Sequence, residues 1–109
     1  MELHERSVLA LDAPVPEGVV DAGVGPAAAR VAELVAGGRP VLVTLVAAGP
    51  GPVEAEDPGL LATASVYAWL GVRVFRAPEP CAPAVRQALD MVASIRGERR
   101  PALARRGLA

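Results

Sequence analysis

Few residues in this chain are equipped for chemistry. Asp21 lies in the stretch Val19-Val20-Asp21-Ala22-Gly23-Val24-Gly25, and Arg76 closes the short strand-like stretch Val72-Arg73-Val74-Phe75. A carboxylate at a strand end accepts hydrogen bonds from the turn that follows, or caps a helix. An arginine there offers a planar fork to phosphate oxygens or aromatic faces, or it rests in solvent or in an ion pair. Gly23 and Gly25 suit a tight turn, and a lone G-x-G falls far short of a dinucleotide fingerprint. Cys81 stands between prolines ahead of a helical stretch, where a helix N-terminus would lower a thiol pKa. The one histidine, His4, is close to the N-terminus and leaves little scope for a histidine-based triad or metal site.

The missing residue types narrow the chemistry further. There is no Lys and no Asn, and Gln87 is the one glutamine. A chain without lysine forms no Schiff base and has neither a phosphate-loop lysine nor a lysine base. One cysteine excludes a disulfide framework within the chain and a cysteine-based zinc site. No cofactor and no metal are therefore expected.

The 109 residues suffice for one domain with a single modest core. An apolar content of 52% is too high for a disordered chain, and no apolar run reaches the ~18 residues of a membrane span. The net charge of −1 argues against a general nucleic-acid binder. The opening Met1-Glu2-Leu3-His4-Glu5-Arg6 does not read as a signal peptide, so a cytoplasmic location is expected. Charge is unevenly placed: residues 1–60 hold nine acids against three arginines, and residues 61–109 hold eight arginines against three acids. Such asymmetry favours head-to-tail self-association or an acidic partner, or it marks two solvated faces of one domain.

Positioning these groups requires a scaffold, and its elements are legible. Residues 7–11 read as a short strand, broken by Pro14 and Pro16. Residues 19–25 read as a strand ending in a glycine turn, and residues 26–36 as a helix with Val31, Leu34 and Val35 inward and Gly37 as its stop. Residues 41–46 form the clearest strand, apolar but for Thr44, as a strand covered on both faces should be. A Pro- and Gly-rich loop at 48–59 precedes a helix at 60–70, with Leu61, Val66, Trp69 and Leu70 expected in the core. A strand at 72–75 and a helix at 82–95 follow, the latter with Val85, Leu89, Val92 and Ile95 inward. The domain is expected over residues 1–97, with 98–109 an arginine-rich, loose tail. Strands alternating with helices predict right-handed βαβ crossovers in a parallel α/β sheet. The link between the first two strands is too short for a helix, so those strands are antiparallel or not neighbours.

Four segments, in order, resemble the C-terminal part of dihydropteroate synthase, a (β/α)8 barrel of folate biosynthesis. The stretch Val19 to Gly25 is similar to that family's strand-six D-P-G-x-G motif, and Pro40-Val41-Leu42-Val43 to its strand-seven P-V-L-V. The stretch Leu61-Ala62-Thr63-Ala64 through Ala68-Trp69-Leu70-Gly71-Val72-Arg73-Val74-Phe75-Arg76 resembles its seventh helix and eighth strand, and the run from Arg86 to Ile95 its last helix. The resemblance covers about residues 19–96 and implies part of a TIM barrel, with its ligand at the C-terminal ends of the strands. It implies that Asp21 would hydrogen-bond a pterin ring through two parallel N–H donors, and that Arg76 would bind pterin and its diphosphate, beside the turn glycines Gly23 and Gly25.

The chain departs from the family where catalysis is concentrated. The strand-seven S-R-K reads Val46-Ala47-Ala48, and the histidine of R-x-H is Pro78. About three βα units stand where eight close a barrel. The resemblance thus implies a truncated pterin-binding-domain protein, non-catalytic, acting as an accessory or oligomeric binding protein. The alternatives are a residual pterin or phosphate-ester binder and part of a synthase completed by a partner chain. A part-barrel leaves sheet edges open, so a homo-oligomer or a partner chain is expected to cover them; nucleic acid and membrane are not expected partners.

Overall fold

The computed structural model describes residues 6–47 and 49–98. The order is β1 (Ser7–Leu9), β2 (Val20–Val24), α1 (Ala28–Ala36), β3 (Val41–Thr44), α2 (Pro58–Leu70), β4 (Val74–Arg76) and α3 (Ala82–Ile95), with a short 3-10 turn (Glu79–Cys81) before α3. The four strands form one sheet in the order β1-β4-β3-β2, and every pairing is parallel. This is a small α/β domain of successive βα units. The first two strands are not neighbours: they occupy opposite edges of the sheet.

Alternation along the strands divides the sheet into two faces. Val41 and Val43 of β3 and Phe75 of β4 point to one side and join Val31 of α1, Leu60, Ala64 and Ala68 of α2, and Val85, Leu89 and Val92 of α3 in one core. All three helices therefore lie on that side, as crossovers of one hand stepping in one direction require. Phe75 and Val43 are fully buried, and each such side chain contributes about 1.5–3 kcal/mol of burial. The opposite face carries Leu42, Thr44, Val74 and Arg76, in register as Leu42 with Val74 and Thr44 with Arg76. It has no helix over it, yet Leu42 is fully buried. Residues 10–19 provide cover, a strap running from the end of β1 at one edge to the start of β2 at the other.

Local chemistry explains the element ends. Asp57 caps α2, its Oδ1 accepting from the Leu60 N–H at 3.0 Å, and Pro58 fills the first helical position. The helix therefore starts at 58 rather than 60. At its other end the Gly71 and Val72 N–H groups bond back to the Ala68 and Tyr67 carbonyls. Gly71 adopts φ +111°, and a Cβ there would lie 2.9 Å from Val35 Cγ1. Both the backbone conformation and the approach of α1 demand glycine.

Several expected core residues lie outside. Val66 and Trp69 are exposed, as is Ile95 at the end of α3. α2 is apolar on every side, so its periodicity supplies no phase. Leu60, Ala64, Tyr67 and Ala68 turn inward, the alanines permitting close packing, while Val66 and Trp69 turn out. β3 ends at Thr44, leaving Leu45 buried and Val46 half exposed. Glu98, the first residue of the expected tail, is held by ion pairs to Arg6 and Arg96; His4 and residues 99–109 lie outside the described residues.

Candidate functional site

Asp21 and Arg76 meet on the face opposite the helices: Arg76 closes β4 at its C-terminal end, whereas Asp21 is the second residue of β2, in register with Leu42, so the guanidinium reaches back toward it. Asp21 Oδ2 lies 3.6 Å from Arg76 Nη1. Its Oδ1 accepts from the Gly23 N–H at 2.8 Å, closing an Asx-type turn. This turn accompanies a shift in the β2–β3 register between Asp21 and Val24, and Gly23 and Gly25 both hold positive φ, +79° and +60°. The glycines thus permit the local fold that aims the carboxylate.

Arg76 has three partners. Its Nε donates to the Ala13 carbonyl of the strap at 2.9 Å, and its Nη1 reaches Thr44 Oγ1 at 3.5 Å as well as Asp21. The guanidinium therefore pins the strap onto the sheet. Its side chain is 16% exposed and that of Asp21 39%. A ligand with paired N–H donors meets a carboxylate that is reachable but already engaged, so binding there exchanges an internal ion pair for an external one.

A second constellation, at the N-terminal ends of the strands, has no counterpart in the sequence reading. Arg6 donates to the Val72 and Ala68 carbonyls at 3.1 and 2.9 Å and pairs with Glu98. Arg96 joins Glu98 at 3.0 Å and donates to the Trp69 carbonyl at 2.8 Å, its guanidinium 5.9 Å above the Trp69 ring. Two guanidinium groups thus satisfy the last carbonyls of α2, at the negative end of its dipole. The hydrogen bond from Arg6 lowers the Glu98 pKa, opposed by burial and aided by the charges of Arg6, Arg96 and Arg73. Arg6 and Glu98 are 92 positions apart, and no local pattern announces such a pair.

Cys81 reverses its expectation. The thiol is fully buried, its Sγ 3.1 Å from the Glu54 carbonyl. Burial, reinforced by the charge of Asp57, raises its pKa, so the thiolate is disfavoured despite the helix that follows. Tyr67 is a packing residue, its hydroxyl donating to the Pro26 carbonyl at 2.7 Å. A shallow groove of about 300 Å³ lies beside it between α1 and α2, lined by Pro26, Ala62, Val66 and Leu70 among others. Neither Asp21 nor Arg76 lines it. Among the described residues no group of three His, Cys, Asp or Glu side chains is arranged to hold a metal ion, and no helix is long and apolar enough to cross a membrane.

Comparison of the chain with protein-family models, with curated proteins and with solved structures finds no match.

Proposed function

We propose that this chain is a non-catalytic binding or accessory module related to the last three βα units of dihydropteroate synthase, and so to folate biosynthesis, acting through association rather than turnover. One observation carries the non-catalytic reading. Both carboxylate oxygens of Asp21 and the Nε and Nη1 of Arg76 are engaged, with each other, with the Gly23 amide, with Thr44 and with the Ala13 carbonyl. Groups committed to holding a strap in place are poorly disposed to stabilise the leaving diphosphate of a transfer reaction, which requires donors aimed at developing charge. The kinship draws support from three consecutive βα units in a parallel sheet, with Arg76 at the C-terminal end of its strand, the end where barrel enzymes bind. Association draws support from two sheet edges, β1 and β2, that end the strand order.

A second reading is residual binding of a pterin or phosphate ester. The accessible Asp21 carboxylate and its long 3.6 Å ion pair favour it, because a bidentate heterocycle edge would bond more closely than the guanidinium does. Isothermal titration calorimetry with a pterin diphosphate analogue separates the two. Absence of heat is expected for the accessory module. Heat that disappears in Asp21→Ala would replace it with the ligand-binding reading, and heat that Asp21→Ala leaves unchanged would remove Asp21 from any site.

A further inference from the structure

The fold rearranges the charge that the sequence divides between its halves. Because every strand runs the same way, all segments leaving strands open at one rim and all segments entering them at the other. The departing segments carry Asp12, Glu54, Glu56, Asp57 and Glu79, exposed apart from a half-buried Asp57. Arg76 at that rim is matched by Asp21. The entering segments and the end of α3 carry Arg6, Arg39, Arg73 and Arg96. Among the described residues two acids stand with them: Glu98, held between Arg6 and Arg96, and Glu17, beside the Gly18 carbonyl that accepts from Arg39 Nε at 3.2 Å. The sheet thus has an acidic C-terminal rim and a basic N-terminal rim.

An independent observation marks the basic rim as incomplete. Among the described residues Arg73 Nη1 is buried and has no hydrogen-bond partner, although buried cationic donors are ordinarily paired. A carboxylate brought to this rim offsets part of that buried positive charge.

We infer that the chain associates with further copies of itself head to tail, the acidic rim of one molecule against the basic rim of the next. This rests on the association part of the proposed function and specifies its geometry. Two-fold pairing through either rim opposes like charges, so the matched contact is the heterologous one. Such a contact repeats unless the rotation closes a ring, giving a concentration-dependent ladder of species instead of a single dimer.

Sedimentation velocity at about 20 mM and about 500 mM salt tests it, since the screening length falls from roughly 20 Å to roughly 4 Å between them. Multiples of the monomer mass are expected at low salt and the monomer alone at high salt. Two charge-altered proteins, Glu54→Arg/Glu56→Arg and Arg39→Glu/Arg73→Gln, are each confirmed as folded by circular dichroism. Each alone is expected to be monomeric, and an equimolar mixture to associate again. A wild type that is monomeric at low salt overturns both this inference and self-association. Association that survives high salt or both altered proteins overturns the head-to-tail geometry and leaves self-association standing. Folded altered proteins that fail to recombine likewise overturn the geometry.

Discussion

The two rims of the sheet hold ion pairs of different character. At the N-terminal rim the Arg6 side chain is 3% exposed and that of Glu98 12%, and Arg6 also donates to the Ala68 and Val72 carbonyls at the end of α2 and just beyond it. At the C-terminal rim Arg76 reaches back to the Asp21 carboxylate, which is 39% exposed, and the contact is long. The first pair is a clamp that joins the start of β1, the end of α2 and the segment after α3. The second is a latch on a surface strap. Sequestered charges are costly to unpair, whereas solvated ones contribute little. In this fold, then, stability concentrates at one end of the sheet and exchangeable polar contacts at the other.

The largest effect is expected from Arg6→Met. It removes donors from two carbonyls and leaves Glu98 with Arg96, at a cost of about 3–5 kcal/mol. That is a large part of the stability of a domain this size. Urea denaturation measures it, and a loss no larger than that of a surface arginine would erase the distinction between the rims. The same clamp governs the acid limb of stability. Because the Glu98 pKa is lowered on folding, its contribution is complete above the ordinary value of 4.5 and is lost as pH falls through the lower folded value. Melting temperatures followed from pH 6 downward should therefore drop less steeply for Glu98→Gln than for the wild type.

Arg76→Leu belongs to the latch and is expected to cost about 1–2 kcal/mol. Its clearer signature is local: a protease that cuts after glutamate should cleave at Glu17 faster once the Ala13 carbonyl is released, while the core stays folded. The smallest change is expected from Asp21→Ala. An exposed pair and one turn hydrogen bond together amount to about 1 kcal/mol or less. A chemical-denaturation midpoint close to that of the wild type would bear this out, and a loss comparable to Arg6→Met would reverse the order of the two rims.

What the sequence made legible follows the range of the interactions involved. The apolar run of β3, the glycine stops after α1 and α2, and the 3.6-residue repeat of α3 are local signals, and the parallel α/β layout follows from their order. The phase of α2 was hidden because no charged residue marks its outer side, so Trp69 and Val66 look as much like core as Ala64 and Ala68 do. Asp21 and Arg76 stand out as polar groups beside apolar runs, and the parallel register brings them to one face of the sheet, with Asp21 near the start of β2 instead of at its end. The engagement of Arg76 with Ala13 depends on where the strap crosses, which is set by the positions of β1 and β2 at opposite edges. The clamp was the least legible feature, since Arg6 and Glu98 find each other only when β1 pairs with β4. Cys81 shows the limit of motif reasoning: a helix end lowers a thiol pKa only where the thiol keeps some solvent, and here desolvation dominates.

The clamp also bears on how the molecule could be rewired. Arg6 and Glu98 are in direct contact, so the two extremities of the folded unit are adjacent in space, while the strap between β1 and β2 runs over the surface with Gly18 exposed. A circularly permuted gene, joined across the Arg6–Glu98 contact and opened at Gly18, would encode the strands as β2, β3, β4, β1, the same succession in which they lie side by side.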